Sequence, residues 1–156
     1  MKFSAFVVTE ALTTDLKADN ARGAVDGMVQ ALIRAGAVPD DHRRKLVDAV
    51  MRREKKGTTG FGNGVAIPHA KHDGVPGVVA AVAVCQEGID FSALDREPVH
   101  LVFLLLSNTE TPEQHLKAME HIFRSIKNDN LRRFMMRAST PDELADLLTE
   151  ADEELG

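Results

Sequence analysis

A single cysteine, Cys85, is all that the 156 residues carry. That excludes an internal disulfide framework or a thiolate zinc cluster and points to a reducing compartment. No run of about 18 apolar residues exists to span a membrane. The stretch around "FSAFVV" lacks both the basic start and the small-residue cleavage pattern of an export signal. Cationic excess is missing too: a formal charge of −5 argues against a nucleic-acid partner, whose phosphates are normally met by a net basic face. The one dense basic run, Arg52-Arg53-Glu54-Lys55-Lys56, reads as the solvated end of a helix. Repeats, low-complexity tracts and linkers are absent. What is present, a hydrophobic share of 44% and a charged share of 28%, suits one globular domain over residues 1–156 with a real core.

Helical periodicity opens the chain. Asn20 is placed to cap a helix from Ala21 to Ala35, whose apolar stripe is Val25, Met28, Val29, Leu32 and Ile33 and whose stop is Gly36. A second helix is expected from Asp41 to Lys56, with Leu46, Val47, Val50 and Met51 buried and Gly57 ending it. The period then changes. "GVVAAVAVC" and "VHLVFLLL" are continuous apolar runs bounded by the turn-like "EGIDFSALDREP" and "SNTETP", as in strands buried on both faces. "VAIP" is a shorter strand, and Leu12 to Leu16 an edge. Cys85 reads as a small buried hydrophobe. Helices return in the last third, where Thr111-Pro112-Glu113-Gln114 and Thr140-Pro141-Asp142-Glu143 both pair an N-cap threonine with proline at the first helical position. Leu131 to Arg137 forms a short segment between them, and "EADEELG" reads as a frayed tail. The order predicts an α/β three-layer domain, a central mixed β-sheet flanked by helices.

Six histidines carry the candidate chemistry. His42 and His100 read as surface or structural residues. His69 differs because Pro68 fixes its own backbone and biases Ile67 toward extended geometry, so "VAIP" delivers His69 at a defined strand end, where ligands of α/β sheets commonly meet the protein. Gly60, Gly62 and Gly64 in the preceding loop allow either a plain flexible turn or a close approach of backbone N–H groups to an anion. A nucleotide fingerprint is rejected: a helix precedes "GFGNGVA" and a strand follows it, the reverse of the dinucleotide order, and no Walker lysine-serine ending is present. At about 100° per residue His115 lies in the arc of Met119, Ile122 and Ile126, while His121 points about 240° round from it, away from that stripe. His115 thus faces inward, as a structural histidine or as a partner of His69 across the sheet end. Zinc would accept His69, His72, Asp73 and His115, yet the chain has neither a helical H-E-x-x-H pattern nor a cysteine pair, so the metal reading is the weaker one.

"RREKKGTTGFGNGVAIPHAKHDGV" resembles the active-site signature of the mannitol/fructose-type enzyme IIA domains of the bacterial phosphoenolpyruvate-dependent phosphotransferase system. "DLKADN", "EGIDFSALDREPVHLVFLLL" and "QHLKAMEHI" follow in that family's order, so the resemblance covers nearly the whole chain, and "TGFGNGVAIPHAK" is closest to its nitrogen-regulatory branch. The resemblance implies that His69 is the phosphorylated residue, His115 its active-site partner and Arg53 the arginine near the phosphoryl group. Thr59, Gly60, Gly62, Asn63 and Gly64 would then form the phosphoryl loop. It further implies a cytoplasmic phosphohistidine carrier loaded by the carrier protein HPr, with no metal, nucleotide or other cofactor, that passes phosphate to an enzyme IIB partner. A regulatory module, whose docking to a transporter or kinase is switched by phosphorylation of His69, is the alternative. A fused or neighbouring IIB or membrane domain would separate the two, and none lies within these residues. Imidazole suits either role, being uncharged near neutral pH and a ready leaving group.

Overall fold

A computed structural model describes residues 1–155. Alternation along its central apolar strand sets the layers. The strands are β1 (Gly60–Gly62), β2 (Val65–Ala66), β3 (His69–Lys71), β4 (Val78–Ile89) and β5 (Val99–Ser107). In β5, Leu101, Phe103 and Leu105 face one side while Val102, Leu104 and Leu106 face the other, and all six are fully buried. The second set packs under helices α2 (Ala21–Arg34) and α3 (Arg43–Lys56). The first packs under α1 (Phe3–Phe6), α4 (Pro112–Ile126), α5 (Asp129–Met136) and α6 (Pro141–Leu155). This is the expected three-layer α/β arrangement around a mixed sheet of five strands.

β4 runs antiparallel along one side of β5, from Val78 opposite Ser107 to Ile89 opposite Val99. On the other side β2 and β3 pair with β5 in succession, both parallel, with Val65 opposite Leu101 and His69 opposite Leu105. Pro68 divides them. It has no N–H to give to a ladder, so the expected "VAIP" strand becomes two short pieces with His69 opening the second. β1 folds back on β2 through a turn at Asn63 and Gly64, both at positive φ.

Asn20 caps α2 as expected, accepting from Gly23 N–H at 2.8 Å. Thr140 accepts from Glu143 N–H in the same way. Thr111 does not cap α4: its hydroxyl donates instead to the Asn108 carbonyl in the turn leading into the helix. The expected Leu12–Leu16 edge is reduced to isolated parallel bridges, Val7 with Ala80 and Thr13 with Ala83. The turn expected from Glu87 starts later, because β4 continues to Ile89 across a register shift. Asp40–His42 form a separate 3₁₀ turn before α3.

Two expectations are overturned together. The "EADEELG" tail is not frayed, since α6 extends to Leu155 and buries Ala151 and Asp152; Gly156 lies outside the described residues. His121, expected to point outward, is 3% exposed and donates from Nε2 to Asp152 Oδ1 at 2.9 Å. The same carboxylate accepts from the N–H groups of Phe3 and Ser4, at 2.7 and 3.0 Å. The stripe of Met119, Ile122 and Ile126 marks only part of the packed face, because α4 also packs against α1 and α6. Its buried face is therefore rotated toward His115, Ala118, His121, Ile122 and Ser125.

Candidate functional site

Strand alternation puts His69 and Lys71 on the same side of the sheet as Ile67, the side on which α4 lies. There His69 meets His115, which stands in the first turn of α4 and is 7% exposed. Their ring centroids are 5.6 Å apart and the planes are inclined by 53°. Both line a cleft of about 480 Å³ with Ala49, Arg52, Arg53 and Lys56 of α3 and Ala70 and Lys71 of β3. Of the expected trio, His69, His115 and Arg53 are thus brought together.

The hydrogen bonds decide which ring nitrogens are available. His69 Nδ1 lies 2.8 Å from the Ile67 carbonyl oxygen. A carbonyl only accepts, so Nδ1 carries the proton and Nε2 keeps a free lone pair. His115 Nδ1 lies 2.5 Å from the hydroxyl of Ser107, at the end of β5. Burial is the main cause that lowers His69 below the ordinary 6.5; the Ile67 carbonyl and Glu54 oppose it, while the charges of Arg53 and Lys71 reinforce it. His115 is pushed down to about 4, first by burial and then by His69 and Lys71. Both imidazoles are consequently neutral near pH 7.

Cations surround this pair. Arg52, Arg53, Lys56 and Lys71 all line the cleft, and among the described residues no carboxylate joins them there. Arg53 gives one N–H to the Gly57 carbonyl at 2.9 Å, closing the end of α3, and its fork has further donors. A free imidazole nitrogen, a second neutral imidazole and several cations form an environment for a group that carries negative charge and forms a bond to nitrogen.

The glycine-rich loop lies elsewhere. Thr59, Gly60, Gly62, Asn63 and Gly64 are not among the residues lining the cleft. Three of their amides have acceptors within the protein: Thr59 N–H donates to Glu54, Gly60 N–H to Thr58 Oγ1 and Asn63 N–H to Asp95. The glycines meet a packing need instead. A Cβ at Gly60 would come within 2.9 Å of Ala93, and one at Gly64 within 2.8 Å of the Met136 side chain. The metal alternative is dispersed as well. His72 Nδ1 accepts from Gly74 N–H, and Asp73 accepts from the Thr109 hydroxyl. Among the described residues no three histidine, cysteine, aspartate or glutamate side chains are grouped to hold a metal ion.

Sequence reasoning missed Lys71, Glu54 and Ser107. Lys71 was within reach, two residues beyond His69 on the same strand face. Glu54 sits in the basic run, where its bond to the Thr59 hydroxyl leaves no sequence trace. Ser107 stood out only as a polar end to "LVFLLLS". A larger depression of about 710 Å³ lies between α2 and α3, where Arg43 pairs with Asp26 and Arg22 with nearby Asp48.

Comparisons with known proteins bear on the family and the fold. Residues 6–151 match the family described as "Phosphoenolpyruvate-dependent sugar phosphotransferase system, EIIA 2". The chain is 36% identical over 131 residues to the fructose-specific EIIA component of Haloferax volcanii, covering 84% of each. It is 33% identical over 116 residues to the nitrogen regulatory protein of Pseudomonas aeruginosa, covering 74% of this chain and 75% of that one. Against the fructose-specific EIIABC component of Bacillus subtilis it is 28% identical over 152 residues and spans only 24% of that longer protein. Among solved structures, the nitrogen regulatory protein IIA-Ntr of Neisseria meningitidis superposes with a TM-score of 0.83 at 25% identity, covering 94% of this chain and 98% of that one.

Proposed function

Because the chain belongs to the EIIA 2 family of the phosphoenolpyruvate-dependent sugar phosphotransferase system, a family of phosphohistidine carriers, we propose that His69 Nε2 is the atom that takes the phosphoryl group. The observation that carries this reading is the bond from His69 Nδ1 to the Ile67 carbonyl, which leaves Nε2 unprotonated in a cationic cleft.

The donor is the phosphohistidine of the carrier protein HPr. His69 Nε2 attacks phosphorus in line, the new P–N bond forms as the old one breaks, and the imidazole of HPr departs with its electron pair. The transition state is loose and its charge spreads over three oxygens, so positioning and electrostatics supply most of the catalysis. Arg53 and the neighbouring cations compensate that charge, and His115 donates a hydrogen bond from Nε2. Onward transfer returns the lone pair to His69 as an enzyme IIB acceptor takes phosphorus. The reaction is cytoplasmic and requires no cofactor in this scheme.

A second reading is favoured by the relatives named nitrogen regulatory protein: phosphorylation of His69 switches docking to a transporter or kinase instead of feeding a sugar. Incubation with phosphoenolpyruvate, enzyme I and HPr, followed by intact mass and peptide mapping, tests the step common to both. A single acid-labile phosphate on the peptide holding His69 is expected; a phosphate elsewhere, or none, overturns the reading.

A further inference from the structure

We infer that Ser107 is a positioning residue of the phosphoryl site: its buried hydroxyl donates to His115 Nδ1 and so fixes the proton of that ring on Nε2, the nitrogen left to serve the cleft. A neutral imidazole has one N–H, and where it sits decides whether His115 can help or hinder a phosphoryl group. With the proton on Nε2, the ring offers a donor to a phosphoryl oxygen. With the proton on Nδ1, it offers a lone pair to an anion, which is repulsive.

Two observations place the proton. First, Ser107 is fully buried, and His115 Nδ1, at 2.5 Å, is the one partner of its hydroxyl among the described residues. Were Nδ1 the donor, the serine proton would be left in the interior without an acceptor; were the serine the donor, every group is satisfied. Second, His115 stays neutral well below neutral pH, so a doubly protonated ring does not evade the choice. The hydroxyl is also held firmly. Ser107 lies in the central strand between Lys71 of β3 and Val78 of β4, and its carbonyl accepts from His72 N–H at 2.8 Å. A donor carried on a strand paired on both sides is more precise than one on a loop. The two histidines are thereby set in opposite tautomers by oxygens of opposite character. The Ile67 carbonyl makes His69 an Nε2 nucleophile, and the Ser107 hydroxyl makes His115 an Nε2 donor.

The catalytic consequence rests on His69 being the phosphoryl acceptor, but the proton placement does not, and the two are measured separately. Nitrogen-15 NMR of histidine-labelled protein at neutral pH, without any phosphoryl donor, should show His115 protonated at Nε2 and His69 at Nδ1. Finding His115 protonated at Nδ1 in the wild-type protein overturns the inference, whatever the protein does. In Ser107→Ala the His115 signals should move toward a mixture of tautomers, and transfer from phospho-HPr should slow by about five- to tenfold, as expected for one weakened hydrogen bond. Ser107→Thr, which retains the hydroxyl, should restore the Nε2 tautomer and the rate. A Ser107→Ala protein that keeps the wild-type tautomer and rate overturns the positioning role. If His69 takes no phosphate in the wild type while His115 is protonated at Nε2, the function proposed above fails and the assignment of the proton stands.

Discussion

His69 and His115 are separated in the chain by two whole strands, β4 and β5, one standing at the strand piece after Pro68 and the other in the first turn of a helix, yet their rings lie 5.6 Å apart in one cleft. Each holds its Nδ1 against an oxygen of the sheet side, Ile67 for one and Ser107 for the other. The behaviour of the site under mutation and pH follows from that pairing.

His69→Ala is expected to abolish phosphoryl acceptance with little loss of stability, because the ring is only half-buried and its one protein bond is to a neighbouring carbonyl. Intact mass after incubation with phospho-HPr reads the first part and thermal melting the second. Acid-labile phosphate at the wild-type rate would remove His69 from the mechanism.

Arg53→Ala should slow transfer by about 10- to 100-fold, the range for one charge-assisted contact to a phosphoryl oxygen. It should also loosen the end of α3, where the guanidinium holds the Gly57 carbonyl. Arg53→Lys separates the two effects: it keeps charge near the cleft but loses the planar fork. Equal rates in wild type and Arg53→Ala would leave the arginine a helix-end cap alone.

His115→Gln keeps a donor of similar bulk. Binding of HPr should remain near wild type while transfer slows and hydrolysis of the phosphorylated form changes rate, since a donor placed for the charge spread over the oxygens of the transition state acts on transfer more than on docking. Unaltered transfer per folded molecule, accompanied by a large drop in melting temperature, would make His115 a core residue only.

The protonation of both rings can be followed by NMR from about pH 8 to about pH 3. His115 should titrate near pH 4 and His69 below 6.5. Stability follows with a definite sign. Between about 4 and 6.5 the unfolded chain holds a proton on residue 115 that the fold excludes, so the contribution is complete above 6.5 and is lost as pH falls toward 4. A His115 midpoint at or above 6.5 would contradict the burial and the neighbouring charges to which the shift is attributed.

Asp152→Ala should cost about 2–4 kcal/mol, as expected when several donors lose one shared buried acceptor. It strands the N–H groups of Phe3 and Ser4 and the ring of His121 together. Phosphoryl transfer per folded molecule should be unchanged at low temperature, as the carboxylate lies outside the cleft. Chemical denaturation checks the first statement; a stability loss below about 1 kcal/mol would contradict it.

Much of this arrangement was legible because it is local. The caps at Asn20 and Thr140 are written in residues three apart, and the placement of His69 follows from Pro68. Periodicity also gave the inward face of His115. It failed for His121, one and a half turns later, because the partner that buries it is 31 residues away on α6. The glycine loop was ambiguous for a related reason: Gly-x-Gly-x-Gly permits an anion cradle and a tight hairpin equally. What selects the hairpin is Asp95 and Ala93, some thirty residues on, which take up its amide and its space. Ser107 combines both difficulties, an unremarkable polar residue whose meaning is supplied by a ring eight positions away on another element.

The Asp152 carboxylate also has a bearing on synthesis. Phe3, one of the largest fully buried side chains, owes its backbone anchor to a residue 149 positions later. At bacterial-like elongation rates of about 5–20 residues per second, Phe3 and Phe6 would wait roughly 7–30 s on the ribosome before that anchor exists. For that interval the Phe3–Phe6 pair lacks the carboxylate that anchors its backbone in the finished fold. The first residues to be made among those described are thus among the last to be secured, and nothing short of the final helix completes the layer beneath which His115 is held.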